Sequence, residues 1–208
     1  MADPTTITVH GEGRASAPPD VVRLELGIAA QGDSVGAALA DANEGMLAMQ
    51  HAMRDQGVAE ADLRSPAVAV HAVHDRDHTR VVGYEVRQDV SVVVRDVAAA
   101  GTVLAAALQA GGDLARMHGL AFVLEDPGPL LAQARAAAVA DARQRAEQYG
   151  EAADRTVGAV LRIVEQPPQR PGPMPRAMAA MADTGGGVPL QGGTQEVQAT
   201  VVVELALE

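Results

Sequence analysis

Tyr84-Glu85-Val86-Arg87-Gln88-Asp89-Val90-Ser91-Val92-Val93-Val94 is the stretch from which the fold can be read. Successive side chains of a strand point to opposite faces. Tyr84, Val86, Val90, Val92 and Val94 therefore face one way, and Glu85, Arg87, Asp89 and Ser91 the other. Strict alternation of this kind indicates an antiparallel sheet with one face packed and one face wet.

Upstream, Val68, Val70 and Ala72 supply a partner strand. Earlier still, Ile7 and Val9 alternate with polar neighbours, and Val22, Leu24, Leu26 and Ile28 alternate with Arg23, Glu25 and Gly27. Pro18-Pro19-Asp20 separates these two, because proline cannot continue a ladder. From Ser34 the period changes: Val35, Leu39, Ala42, Met46, Met49 and Met53 recur at spacings of four and three, with Gly57 as a stop, which predicts an amphipathic helix. Downstream, Asp96 can cap a second helix with its stripe at Val97, Gly101, Leu104 and Leu108, ended by Gly111-Gly112. Leu120 to Leu124 reads as a short strand.

A third helix begins near Pro129 and runs to Gly150, with Leu131, Ala134, Ala138, Ala142, Ala146 and Tyr149 along one side. Small residues there let its axis approach a neighbour closely. Val160 to Val164 forms another strand, residues 166–193 form a long loop of Pro, Gly, Met and Ala expected to be mobile, and Val197 to Leu207 alternates to the end of the chain. That last strand is expected to pair in the sheet or with another chain. The order is β-β-α-β-β-α-β-α-β-β. It predicts an α+β domain over 1–208, an antiparallel sheet with about three helices packed on one face.

Composition narrows the function classes. The formal net charge is −11 and every cationic side chain is arginine. Such a chain is repelled by phosphate backbones and anionic lipid, which argues against nucleic acid or a membrane surface as partner. Phe122, Tyr84 and Tyr149 are the aromatic residues, too few for a base-stacking platform. Cysteine is absent, which excludes disulfides, thiol catalysis and thiolate metal sites. The first residues lack a basic and an apolar region of the export type, and no stretch reads as a membrane span. The expected compartment is the cytoplasm, with the periplasm or secretion as the alternative if a leader has been removed.

Gly11-Glu12-Gly13 has the start of a dinucleotide-binding turn but lacks the third glycine and a following helix. A glycine-marked bend or bulge in the first strand is the better reading. His71, His74, Asp75, Asp77 and His78 carry the right ligand types for zinc, copper or nickel. A site built from His71, His74, His78 and Asp75 requires the chain to curl, because His71 and His74 point to opposite faces of a continuing strand. A polar hairpin tip is the simpler alternative. Met174, Met178 and Met181 at helical spacing offer thioethers for Cu(I) or an adaptable contact surface. Serines 16, 34, 65 and 91 stand in no Gly-x-Ser-x-Gly setting, and Asp141, Arg143, Arg145 and Glu147 read as a solvated helix face.

Taken in order, several of these segments resemble the SIMPL domain family from about Ile7 to Leu207. The resemblance is carried by Ile7-Thr8-Val9-His10-Gly11-Glu12-Gly13, Pro19-Asp20, Ala38, Asn43 and Gly83-Tyr84. To these are added Asp96-Val97, Phe122, the alanines at 134, 138, 142 and 146, and the Val197 to Leu205 strand. It implies an α+β fold. It also implies exported or periplasmic bacterial relatives, among them an immunogenic antigen that assembles into a large ring or cage, and a link in some members to oxidative-stress tolerance. It brings no catalytic residues and no cofactor. The sequence departs from the family pattern in lacking a signal peptide, and in having Arg64-Ser65 where many relatives look like Gln-Thr.

The leading expectation is thus a non-enzymatic protein that homo-oligomerises, its terminal strand completing a neighbour's sheet. The alternative is a small-ligand or metal-binding protein using the histidine hairpin, and an unrecognised enzyme on the wet sheet face ranks third.

Overall fold

The computed structural model describes residues 5–167, 188 and 190–208. Among them lie three α-helices and eight strands: β1 (Thr6–Ala17), β2 (Val21–Gly32), α1 (Val35–Asp55), β3 (Leu63–Arg64), β4 (Val68–His74), β5 (Val81–Val94), α2 (Ala100–Gly111), β6 (Ala115–Val123), α3 (Gly128–Ala152), β7 (Val157–Gln166) and β8 (Gln195–Leu207). The chain is α+β in the order read from the sequence, with the two-residue β3 added. The domain expected over 1–208 is built of two compact units, each with its own core. Residues 168–187 of the expected loop, with Met174, Met178 and Met181, lie outside the described residues, and Gln166 belongs to β7.

One unit contains β2 to β6 with α1 and α2. Its sheet runs β3-β5-β2-β6, with β4 also paired to β5, and all pairings are antiparallel. The valine face of β5 and Val22, Leu24, Leu26 and Ile28 of β2 pack against Ala38, Ala42, Met46, Met49 and Met53 of α1 and Val103 and Leu104 of α2. Ser34 caps α1, its Oγ accepting from the Ala37 N–H at 3.2 Å, and Asp96 caps the turn leading into α2. Val35 and Leu39, placed on the apolar stripe by spacing, sit at its margin, 40% and 37% exposed.

Within the valine face Gln88 is buried, and its Nε2 donates to Asn43 Oδ1 of α1 at 2.6 Å. That bond satisfies an amide that would otherwise be costly to bury. Residues 97–114 are long and apolar enough to cross a membrane by length and composition, with mean hydropathy 1.3, contrary to the sequence reading. In the fold Ala100, Val103, Leu104, Ala107 and Gly111 of this run are buried.

The other unit contains β1, α3, β7 and β8. Its sheet has the order β1-β8-β7. The strands are therefore divided between two sheets, and β1 and β2, consecutive in the chain, pair in different ones. Alternation specifies which face of a strand is buried but not which strand lies beside it.

α3 lies on β1 and β8. Ala134, Ala138, Ala142 and Ala146 are buried against Val9, Val201, Val203 and Leu205. The row continues to Gly150 and not to Tyr149, which is exposed, because a repeat of four carries the stripe slowly around the helix. β1 keeps an unbroken register with β8 from Thr6↔Ala206 to Ala17↔Gln195, so the bend or bulge expected at Gly11 and Gly13 is absent. These glycines serve the helix: a Cβ at either would overlap the α3 backbone, at the Ala138 carbonyl for Gly11 and the Ala134 carbonyl for Gly13.

Candidate functional site

The histidine segment forms the tip of the β4–β5 hairpin. β4 runs through His74, so His71 pairs with Glu85 and His74 with Val81. Among the described residues no group of three or more His, Asp or Glu side chains is placed to hold a metal ion. The His74 and His78 rings lie 6.2 Å apart between centroids. His78 adopts φ 53 in the turn.

Asp75 is committed to that turn. Its carboxylate accepts from the Thr79 N–H at 2.9 Å, the Thr79 hydroxyl at 3.1 Å and the Arg80 N–H at 3.3 Å. The Thr79 N–H, ahead of the other bonds, holds its pKa below the ordinary 3.8. A depressed carboxyl pKa gives a contribution that is complete above the unfolded value and lost as pH falls through the folded one. Acidification from about pH 5 to 2 is therefore expected to release the Thr79 and Arg80 amides to faster exchange while the valine core of β5 stays protected, as amide NMR would show.

The wet face of the larger sheet has the side chains expected of it, and they are paired with one another. Ser91 Oγ donates to Glu25 Oε1 at 2.8 Å, and His118 Nε2 lies 3.2 Å from Asp89 Oδ1. Gln31 Nε2 donates to Glu85 at 3.0 Å and, ahead of Arg87, lowers its pKa. His118 falls at a register shift between β2 and β6. Its approach to Asp89 passes over Gly27, where a Cβ would lie 2.8 Å from Asp89 Oδ1 and 2.9 Å from His118 Nε2. Nucleophilic catalysis by serine needs a base that takes its proton. Here Ser91 bonds a carboxylate and His118 bonds a different one.

Both sheets have edges among the described residues: β4, with Val68 63% and Val70 47% exposed, and β6 in the larger sheet, and β1 and β7 in the smaller. β8, expected to pair in the sheet or with another chain and to complete a neighbour's sheet, pairs in the sheet: it is the central strand, bonded to β1 on one side and β7 on the other. From Thr200 to Ala206 it is paired on both sides, so over that stretch it cannot complete a neighbour's sheet, and that part of the expectation is corrected. β1 is an edge, but α3 leans over it. Asp141, read as part of a solvated face, accepts from the Glu12 main-chain N–H at 2.8 Å while also pairing with Arg145 at 2.9 Å.

β7 is the other edge, and α3 barely reaches it. Val160 is 40% exposed, Leu161 52%, Ile163 50% and Val164 41%. Arg135 of α3 pairs with Glu165 at 3.0 Å at one end of the strand. An edge strand bearing aliphatic side chains and a row of unpaired N–H and C=O groups is a template for pairing with another chain. The sequence signal was available in Val160 to Val164, but nothing in it distinguished an edge from a buried strand.

The fold and its pairing can be set against known proteins. The model of the SIMPL family, described as a protein of unknown function, matches residues 7–205. The chain belongs to the SIMPL family. Similar proteins include the 26 kDa periplasmic immunogenic proteins of Brucella melitensis biotype 1 and Brucella abortus strain S19. Each is 30% identical over 223 residues, covering 97% of this chain and 85% of the relative. The SIMPL residues that carried the resemblance have structural tasks here: Gly11 and Gly13 admit α3, its alanines form the facing surface, and Asn43 satisfies Gln88.

Proposed function

We propose that this SIMPL protein is a non-catalytic interaction protein that associates with further copies of itself, and that it works outside the cytoplasm. The observation that carries the reading is β7: four large aliphatic side chains at 40% exposure or more on one edge strand. Burying them on association is favourable by about 25 cal/mol per Å² of apolar surface removed from water. The mutual pairing of Ser91 with Glu25 and of His118 with Asp89 supports the non-catalytic part. The compartment is supported by the relatives, whose name places them in the periplasm. It replaces the cytoplasm expected from the sequence.

Multi-angle light scattering on the purified protein tests the reading. The expected result is a mass at least twice the 21.4 kDa of the chain, rising with concentration. A clean monomer at high concentration would remove it.

A further inference from the structure

We infer that β7 pairs with β7 of a second copy, antiparallel and about a two-fold axis, with Val164 opposite Val164 of the partner subunit. The inference rests on the self-association proposed above and specifies its surface and register.

Three observations select this arrangement. First, the β7–β8 register shifts between Val157 and Val160 and again between Val160 and Arg162, then runs unbroken from Arg162↔Glu204 to Gln166↔Thr200. An added strand needs a regular ladder, and β7 offers one over residues 162–166. Second, two identical strands related by a two-fold normal to the sheet keep their faces. A residue on the helix side must therefore meet a residue on the helix side of its partner.

Third, charge separates the registers this symmetry allows. Placing Arg162 or Glu165 on the axis would set like charges directly opposite each other, which is destabilising. With Ile163 on the axis, Glu165 and Gln166 fall opposite the irregular stretch. With Val164 on the axis, all five regular residues are used. Arg162 then meets the partner's Gln166, whose amide oxygen accepts from a guanidinium. Glu165 meets the partner's Ile163, its own carboxylate already held by Arg135 at 3.0 Å. The stretch 162–166 has one positive and one negative side chain, in a chain of net charge −11. Two copies that repel elsewhere meet here without net charge.

The product is one continuous sheet of six strands, β1-β8-β7 followed by the same three in reverse, with both α3 helices on one face. A five-residue ladder is a small interface, so trapping it covalently is a sharper test than affinity. The chain has no cysteine, which makes single-cysteine variants unambiguous. Directly opposed residues of antiparallel strands have Cα atoms about 4.5–5.5 Å apart, within disulfide reach.

The test compares three samples by non-reducing electrophoresis after mild oxidation: Val164→Cys, Ile163→Cys, and an equimolar mixture of Arg162→Cys with Gln166→Cys. Val164→Cys and the mixture are expected to give cross-linked dimer roughly tenfold faster than Ile163→Cys, whose sulfurs would be offset by two residues. Faster cross-linking of Ile163→Cys overturns the register. No cross-linking in any sample, while light scattering still shows oligomers, overturns β7 as the surface and leaves self-association standing. No cross-linking together with a monomeric mass overturns both.

Discussion

Gly13→Val is expected to destabilise the unit built on β1 and α3 by about 3 kcal/mol or more, at the upper end of the overpacking range. The cause is specific. A Cβ at residue 13 would overlap the Ala134 carbonyl oxygen and the Ala138 nitrogen, and lie 2.9 Å from the Ala137 carbonyl carbon. These are backbone atoms of a helix, which cannot rotate aside as a side chain can. The whole of α3 must lift, and lifting it uncovers Ala134, Ala138, Val9 and Val201 together.

Gly11→Val should act similarly, against the Ala138 carbonyl and the Ala142 Cβ. Gly119→Ala is the control. Among the described residues, no heavy atom beyond its chain neighbours lies within 4 Å of a Cβ there, and a change of no more than about 0.5 kcal/mol is expected. Chemical denaturation of the three variants, followed by circular dichroism, checks the ranking. If Gly13→Val behaves like Gly119→Ala, the close approach of α3 to β1 is not a feature of the folded protein.

Val164→Lys is expected to weaken self-association by roughly thirtyfold or more, the loss of about 2 kcal/mol that defines a central interface residue, because the two-fold would set two lysines directly opposite each other. Val164 is 41% exposed in the single chain, so the folded monomer should change by less than about 0.5 kcal/mol. A lysine on an edge strand also carries a charge that a pairing strand must desolvate, one of the ways natural edges are kept from associating. Leu47→Lys, at the 58% exposed Leu47 of α1, changes charge equally on a different element and should leave the assembly intact. Sedimentation velocity over a concentration series separates these outcomes. Wild-type assembly by Val164→Lys would place the interface elsewhere.

Much of this was legible in the sequence wherever one residue's environment depends on its near neighbours. The valine alternation of β5, the Ser34 and Asp96 caps and the four-residue alanine repeat of α3 depend on spacing along one strand or helix. They appear where the spacing puts them. The metal reading at His71, His74, His78 and Asp75 depended on whether the chain curls. β4 extends through His74 with a register shift against β5 between Val73 and His74, and Asp75 is bonded to Thr79 and Arg80 of its own turn.

What the sequence determined by itself is therefore one-dimensional: which faces of which elements are apolar, where helices start, and that no thiol and little aromatic surface exist. What only the tertiary structure decided is adjacency. It split the strands between two sheets, put β8 in the middle of one, brought α3 onto Gly11 and Gly13, and among the described residues left β7 at an edge. The physical reason is that hydrogen-bonding capacity and apolar faces are much alike from strand to strand. Their pairing is settled by which combination buries the most surface around two cores at once, a property of the whole chain that no local window contains.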